Sequence, residues 1–395
     1  MSWIVSDIVS CENQIHQFFL NQKIGSLLKR SNIDKGKGIS PVAVFRVLVT
    51  LVFTGKNLFR TIEAGGSCGM AKDTVYRFLN SVHTNWRRFL LLLSSRVISQ
   101  ELEPLTGGAN MKVLIADDTL YRRNRSKQVE LLSRVFDHTD KRYYRGFRML
   151  TLGWSDGISF LPVSCALLAS SKEKNRLVPL RTDLDRRTNG ARRRREGIRK
   201  ACRDGGRGPC KRDSSQSPSV RQLVCLSRNH EELACQGDAY PRTKKWLALL
   251  STDTSLEDEQ VIMAYKRRWD IEVFFKMAKS FLNLAKECQG RSYDALVAHT
   301  AVVCCRYIML ALAKRTNKDP RTLGSLFYAC CEELQQATFA EALALVLVFL
   351  EQAMGAATEI TRELIRSLVE RFLKELPPIY GARLLLEWQN NAASC

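Results

Sequence analysis

Apolar positions along the chain change their period twice. Through residues 1–108 they recur three and four apart, the spacing of helices packed on one side. Pro41 opens the run VAVFRVLVTLVFT and Gly55 closes it, as expected for a helix with Pro in its first turn and Gly at its end. Ala71–Asn80 predicts a second short helix after the glycines 65, 66 and 69. At Lys112 the pattern shortens. KVLIADDT is a compact apolar run ending in two acids and predicts a buried strand. Phe147–Trp154 and Ile158–Leu168 predict two more strands, joined by the hairpin signal Ser155-Asp156-Gly157, and Trp246–Leu250 predicts a later one. From Tyr293 the helical spacing returns, with further helices over Thr322–Leu334, Phe339–Met354 and Thr361–Leu376, before Pro377-Pro378 ends the series. The pattern divides the chain into a helical region over 1–108, an α/β core over 109–290 and a helical region over 291–395.

One predicted helix carries more than packing. Tyr265–Lys279 (YKRRWDIEVFFKMAK) holds good helix formers and neither Gly nor Pro, and the acids after Leu256 suit its start. At about 100° per residue, Tyr265, Arg268, Glu272 and Lys279 share one face, within roughly 60° of one another. Ile271, Phe274, Ala278 and Phe281 lie on the opposite side, where a core would take them. A solvated face with i,i+4 ion pairs would look the same.

Composition then narrows the partners. The chain has 395 residues, 45% of them hydrophobic, enough for a sizeable core. Its net charge is +21, which points to a polyanion, most simply nucleic acid; a basic membrane-surface protein is the competing class. Phe89–Leu93 and Ala342–Leu350 are too short to span a bilayer, and no apolar run reaches that length. The first residues lack a basic stretch followed by an apolar one, so no signal peptide is expected and the expected location is cytoplasmic. The 13 cysteines are then expected as reduced thiols, with Cys304, Cys305, Cys330 and Cys331 in the core.

Basic residues gather around the predicted strands. Arg122, Arg123, Arg125 and Lys127 follow the first strand, and Lys141, Arg142 and Arg145 precede the second, beside strand-end carboxylates. That setting suits the handling of a phosphodiester. In the N-terminal region, Lys72, Thr74, Arg77, Arg87 and Arg88 are candidate phosphate contacts if the turn and short helix form a helix-turn-helix; a plain helical bundle with a basic surface is the alternative. Asp117 and Asp118 would either hold a metal or merely cap the following turn.

The spacing Y-x2-R-x3-E-x6-K, filled by Tyr265, Arg268, Glu272 and Lys279, resembles the signature of bacterial insertion-sequence DDE transposases of the IS-four type. The flanking text from Trp246 to His299 is similar to that family throughout. The resemblance implies an RNase H-like (integrase-type) α/β core flanked by helical regions. It implies that Glu272 and Asp117, with Asp118 as the alternative, are catalytic acids binding Mg²⁺ or Mn²⁺. Two such ions can neutralise a scissile phosphate and activate an attacking hydroxyl or water. It further implies that Tyr265, Arg268 and Lys279 contact transposon-end DNA, that two copies pair on two ends, and that the protein associates with the bacterial nucleoid rather than a membrane.

The family's second Asp lies in a segment of the type F-D-S-W-F, and this chain has none. Instead 191–243 combines a basic run, Gly/Ser/Pro clusters and four cysteines with little periodicity, and reads as an aberrant loop or linker. Permitted codons for Arg221–His230, read one base later, give Asp-Ser-Trp-Phe-Ala-Ser-Pro-Ala-Thr, the missing segment. The expectation is a frameshifted, internally shortened transposase copy, impaired in catalysis, with a non-catalytic DNA-binding remnant as the alternative. The codons of Arg221 (CGA) and Leu223 (CTG) test the frameshift.

Overall fold

The computed structural model describes residues 14–35, 37–55, 70–107, 110–137, 140–181, 183–198, 223–225, 257–287, 290–335, 367 and 370–371. Among the described residues, the N-terminal part supplies five α-helices: α1 (Gln14–Asn21), α2 (Ile24–Arg30), α3 (Pro41–Thr50), α4 (Lys72–Leu79) and α5 (Trp86–Val97). Local chemistry sets their ends. The Ser40 side chain accepts from the Ala43 N–H at 3.2 Å ahead of Pro41, and Asn85 caps α5 by accepting from the Arg88 N–H.

The sheet is built on β3 (Arg142–Ser155), its longest strand. On one side β1 (Val113–Arg122) runs antiparallel to it, from Val113↔Ser155 to Arg122↔Gly146. On the other side lie β2 (Ser133–Asp137) and β4 (Phe160–Leu168), both antiparallel. A short β5 (Leu223–Cys225) pairs parallel with Leu114–Ala116 of β1. Helices α6 (Asn189–Ile198), α7 (Asp258–Lys266), α8 (Arg268–Ser280) and α9 (Tyr293–Thr316) follow, and 323–335 is a further helical stretch. Mixed helices on a largely antiparallel sheet make an α/β fold.

One hydrophobic cluster runs from Ile15 to Cys330 and joins the N-terminal helices, the sheet and α9. The helix α9 is buried along most of its length. By length and composition it could cross a membrane, with a mean hydropathy of 1.8, which the search for uninterrupted apolar runs missed; 89% of that window is buried inside the protein. Arg306 lies midway along it, fully buried, donating to the carbonyls of Leu48 and Val49 at the end of α3 and to Glu287 at 2.8 Å. It satisfies carbonyls that a helix end leaves without partners.

Several sequence expectations change. The strand β2 was not predicted, since five residues with one apolar pair give little period. The predicted helix over Tyr265–Lys279 is two helices meeting at Arg267. Residues 191–198, read as the start of an aberrant linker, belong to α6. There Arg194 is buried and binds Glu130 at 2.6 and 2.7 Å and Asp294 at 2.8 Å, and Arg193 also binds Asp294. Glu130 and Asp294 are far from α6 in sequence, so composition could not reveal these partners. Leu223–Cys225, also in that segment, form β5. The rest of 199–256, including Trp246–Leu250, and the predicted helices beyond 335 lie outside the described residues, apart from the three positions named above. Cys304, Cys305 and Cys330 are buried, as the pattern predicted, while Cys331, also expected in the core, is only partly buried.

Candidate functional site

Alternation along β1 puts Asp117 and Thr119 on one face of the sheet and Asp118 on the other. Helix α8 lies over the first of these faces. Arg268, in its first turn, reaches Asp117 Oδ2 with Nη1 at 3.4 Å, and the same Nη1 donates to Glu272 Oε1 one turn on. Two carboxylates from separate elements therefore meet at a single guanidinium nitrogen. Asp117 also accepts from the Asp118 N–H at 2.8 Å. Tyr265 lies beneath the Arg268 guanidinium, with its ring centre 5.8 Å away. Burial opposes the Arg268 charge, but bonding to Glu272 and Tyr265 outweighs it and holds the guanidinium pKa above its usual value.

Contacts at its start, underside and far end fix α8 over the sheet. At its start, Arg267 Nη1 donates to the Gly157 carbonyl at 3.0 Å and Ser155 Oγ donates to Asp270 Oδ2 at 2.6 Å. Gly157 sits in the β3–β4 hairpin with φ +83°, which favours glycine, and a Cβ there would fall 2.0 Å from the Arg267 guanidinium carbon and displace that group. Burial raises the Asp270 carboxyl pKa, while Ser155 and Arg267 oppose the rise. Underneath, Ile271, Phe274 and Ala278 are fully buried, with Phe274 packed on Phe160 and Tyr307. At the far end, Lys279 Nζ donates to Thr119 Oγ1 at 2.5 Å. Burial lowers the Lys279 pKa, Arg122 adds to the fall, and Asp137 opposes it.

Tyr265, Arg268, Glu272 and Lys279 are thus brought to one strand that carries Asp117 and Thr119. Asp118 is elsewhere, paired with Arg148 at 3.0 Å, while Arg148 also donates to the Phe136 carbonyl at 2.7 Å. The other candidates are not at this place. Arg122 lies near enough to Lys279 to act on its charge, but its guanidinium is taken up by Asp137 at 3.1 Å and Asp140 at 2.9 Å and stacks on Tyr144. Arg123 donates to the Ala285 carbonyl at 3.4 Å. Arg77 is exposed on α4, its Nε on the Asp73 carbonyl at 3.2 Å, and Arg87 pairs with Glu196 at 3.4 Å. Lys72 opens α4, and its side chain lies outside the described residues. Thr119, Ser155 and Asp270 are positioning groups that sequence reasoning missed. Thr119 alone had a signal, its place at the end of the predicted strand KVLIADDT, two residues after Asp117.

The donor set is one of hard oxygens. Asp117 and Glu272 already converge on one positive charge, and two carboxylates with water and substrate oxygens suit a single Mg²⁺ or Mn²⁺. Among the described residues no cluster of three or more potential metal ligands occurs.

Residues 53–204 match the family described as DDE superfamily endonuclease, a span that contains Asp117 and stops before Arg268 and Glu272. No curated protein matches the chain. The match supports a DDE transposase-type family, with a transposase-like nuclease function, for the part of the chain that carries the first strand acid.

Proposed function

We propose that the chain is an insertion-sequence DDE transposase by descent, of the IS-four type, that handles DNA at Asp117 and Glu272 and is impaired in strand cleavage. The observation that carries this reading is the meeting of a strand carboxylate and a helix carboxylate on one guanidinium. The strand arrangement is compatible with an RNase H-like core: three antiparallel strands, β1 joined by a parallel neighbour, and the acid helix across the face. Asp117 and Glu272 would hold Mg²⁺ or Mn²⁺. A bound divalent ion would neutralise charge at the scissile phosphate and lower the pKa of an attacking water. Arg268 stands between the two acids as their counter-ion and turns toward a DNA phosphate when the carboxylates take a metal. Lys279, held on Thr119, supplies a second cation to the same strand of DNA. Two copies would pair two transposon ends.

A second reading is a DNA-binding remnant without chemistry. It is favoured by the third acid, which is not found among the described residues near Asp117 and Glu272. A supercoiled-plasmid nicking assay with Mn²⁺ or EDTA separates the two. The expected result is weak Mn²⁺-dependent nicking that disappears in Glu272→Ala and survives in Asp118→Asn. No nicking, with salt-sensitive DNA binding retained, supports the remnant. Loss of both nicking and DNA binding overturns both readings.

A further inference from the structure

The end of the sheet away from α8's start is a two-stranded ribbon. The β1 register against β3 stops at Gly146, and one further backbone bond, from the Arg123 N–H to the Arg145 carbonyl at 2.7 Å, ties the strands there. Beyond it Arg142–Arg145 pair with β2 alone. The ribbon's two faces differ in charge. On one, Arg122 is neutralised by Asp137 and Asp140. On the other, Arg134 and Arg145 stand directly opposite each other in the register, both exposed, and neither has an ion-pair partner among the described residues. Beside them on that face Phe136 packs on Tyr143, with ring centres 5.1 Å apart, and Tyr143 is 69% exposed.

Like charges directly opposite on neighbouring strands weaken a sheet. A phosphate between the two guanidinia would replace that repulsion with charge-assisted, bidentate bonds. A two-stranded ribbon has the width of a DNA major groove. We infer that the β2–β3 ribbon is a duplex-DNA contact surface, with Arg134 and Arg145 closing on the phosphate backbone. The inference rests on DNA being the partner, and it adds a contact on a different element from the acid pair.

The test is fluorescence anisotropy of a labelled random-sequence DNA duplex, titrated with the full chain at several NaCl concentrations. Each phosphate contact contributes about 0.9 to the slope of log affinity against log salt. Arg134→Gln with Arg145→Gln, which removes the one shared phosphate contact, is expected to make the slope shallower by about 0.9, while Arg134→Lys with Arg145→Lys keeps it. Thermal melting of the Gln pair should be no lower than that of the parent, since a repulsion is removed. An unchanged slope in the Gln pair overturns the ribbon contact and leaves the acid-pair reading standing. Equal loss in the Gln and Lys pairs overturns a charge contact. Failure of the parent chain to bind duplex DNA overturns both.

Discussion

Two arginines, each facing carboxylate, do opposite things in this molecule. Arg306 is fully buried, and its guanidinium is saturated: two backbone carbonyls of α3, the Leu282 carbonyl at 3.1 Å, and both oxygens of Glu287. Arg268 is about a quarter exposed, and one of its nitrogens serves two acids, Asp117 and Glu272. The first arrangement cannot be exchanged for anything, because the carbonyls it binds are fixed and shielded from water. The second can, because water and another cation can reach the two acids and take over the role of the guanidinium. A buried ion pair is costly to break and often little better than a hydrophobic pair, so its role is to hold elements in place. A half-open cluster with more negative than positive charge is a place for chemistry or a ligand.

The sharpest way to break the comparison is at Arg306. Arg306→Met leaves Glu287 buried without its guanidinium and strands the carbonyls of Leu48 and Val49. Denaturant unfolding should show a loss of about 3–5 kcal/mol. Glu272→Ala, measured the same way, should stay within about 1 kcal/mol of the parent, because its partner is reached by water. Similar losses in both would mean the two clusters are equally structural.

A smaller effect comes from His299, which shares Glu287. It is buried beside Glu287, with Nε2 3.1 Å from the Asn283 carbonyl, and burial pushes its pKa down to about 4. The unfolded chain therefore takes up a proton below pH 6.5 that the folded chain refuses until about pH 4. More protons bind the unfolded state, so stability falls as pH drops through this window, by at most about 1.4 kcal/mol per unit. Above pH 6.5 the group contributes no slope. His299→Gln should flatten the melting temperature between pH 6.5 and 4 relative to the parent; an unchanged slope would assign the pH dependence to other groups.

The mildest test sharpens the site itself. Arg268→Gln removes the internal cation, so Mn²⁺ titrated without DNA should bind several-fold more tightly by calorimetry, at roughly 1 kcal/mol per fivefold change. Duplex DNA affinity should fall in the same variant. Weaker Mn²⁺ binding would mean that Arg268 orders the two acids rather than competing for them.

Much of this arrangement was legible beforehand at the level of elements. The strands at Val113, Phe147 and Phe160 followed from apolar runs, and the buried side of α8 followed from 3.6-residue spacing. The face holding Tyr265, Arg268, Glu272 and Lys279 was readable for the same reason, despite the break at Arg267. What the pattern left open was the choice between two adjacent acids, since Asp117 and Asp118 differ only in which side of the sheet they face. Arg194 was unreadable as a core residue, because four consecutive arginines look solvated until Glu130 and Asp294 are brought to them.

The sequence by itself determined periodicity, the helix face and the basic excess, all of which depend on composition or on neighbours a few residues apart. Only the tertiary structure decided which charges meet: Arg268 with both Asp117 and Glu272, Arg122 with Asp137 and Asp140, and Arg134 opposite Arg145. Electrostatic energy depends on distance through space and on burial, and neither is written in the spacing along the chain.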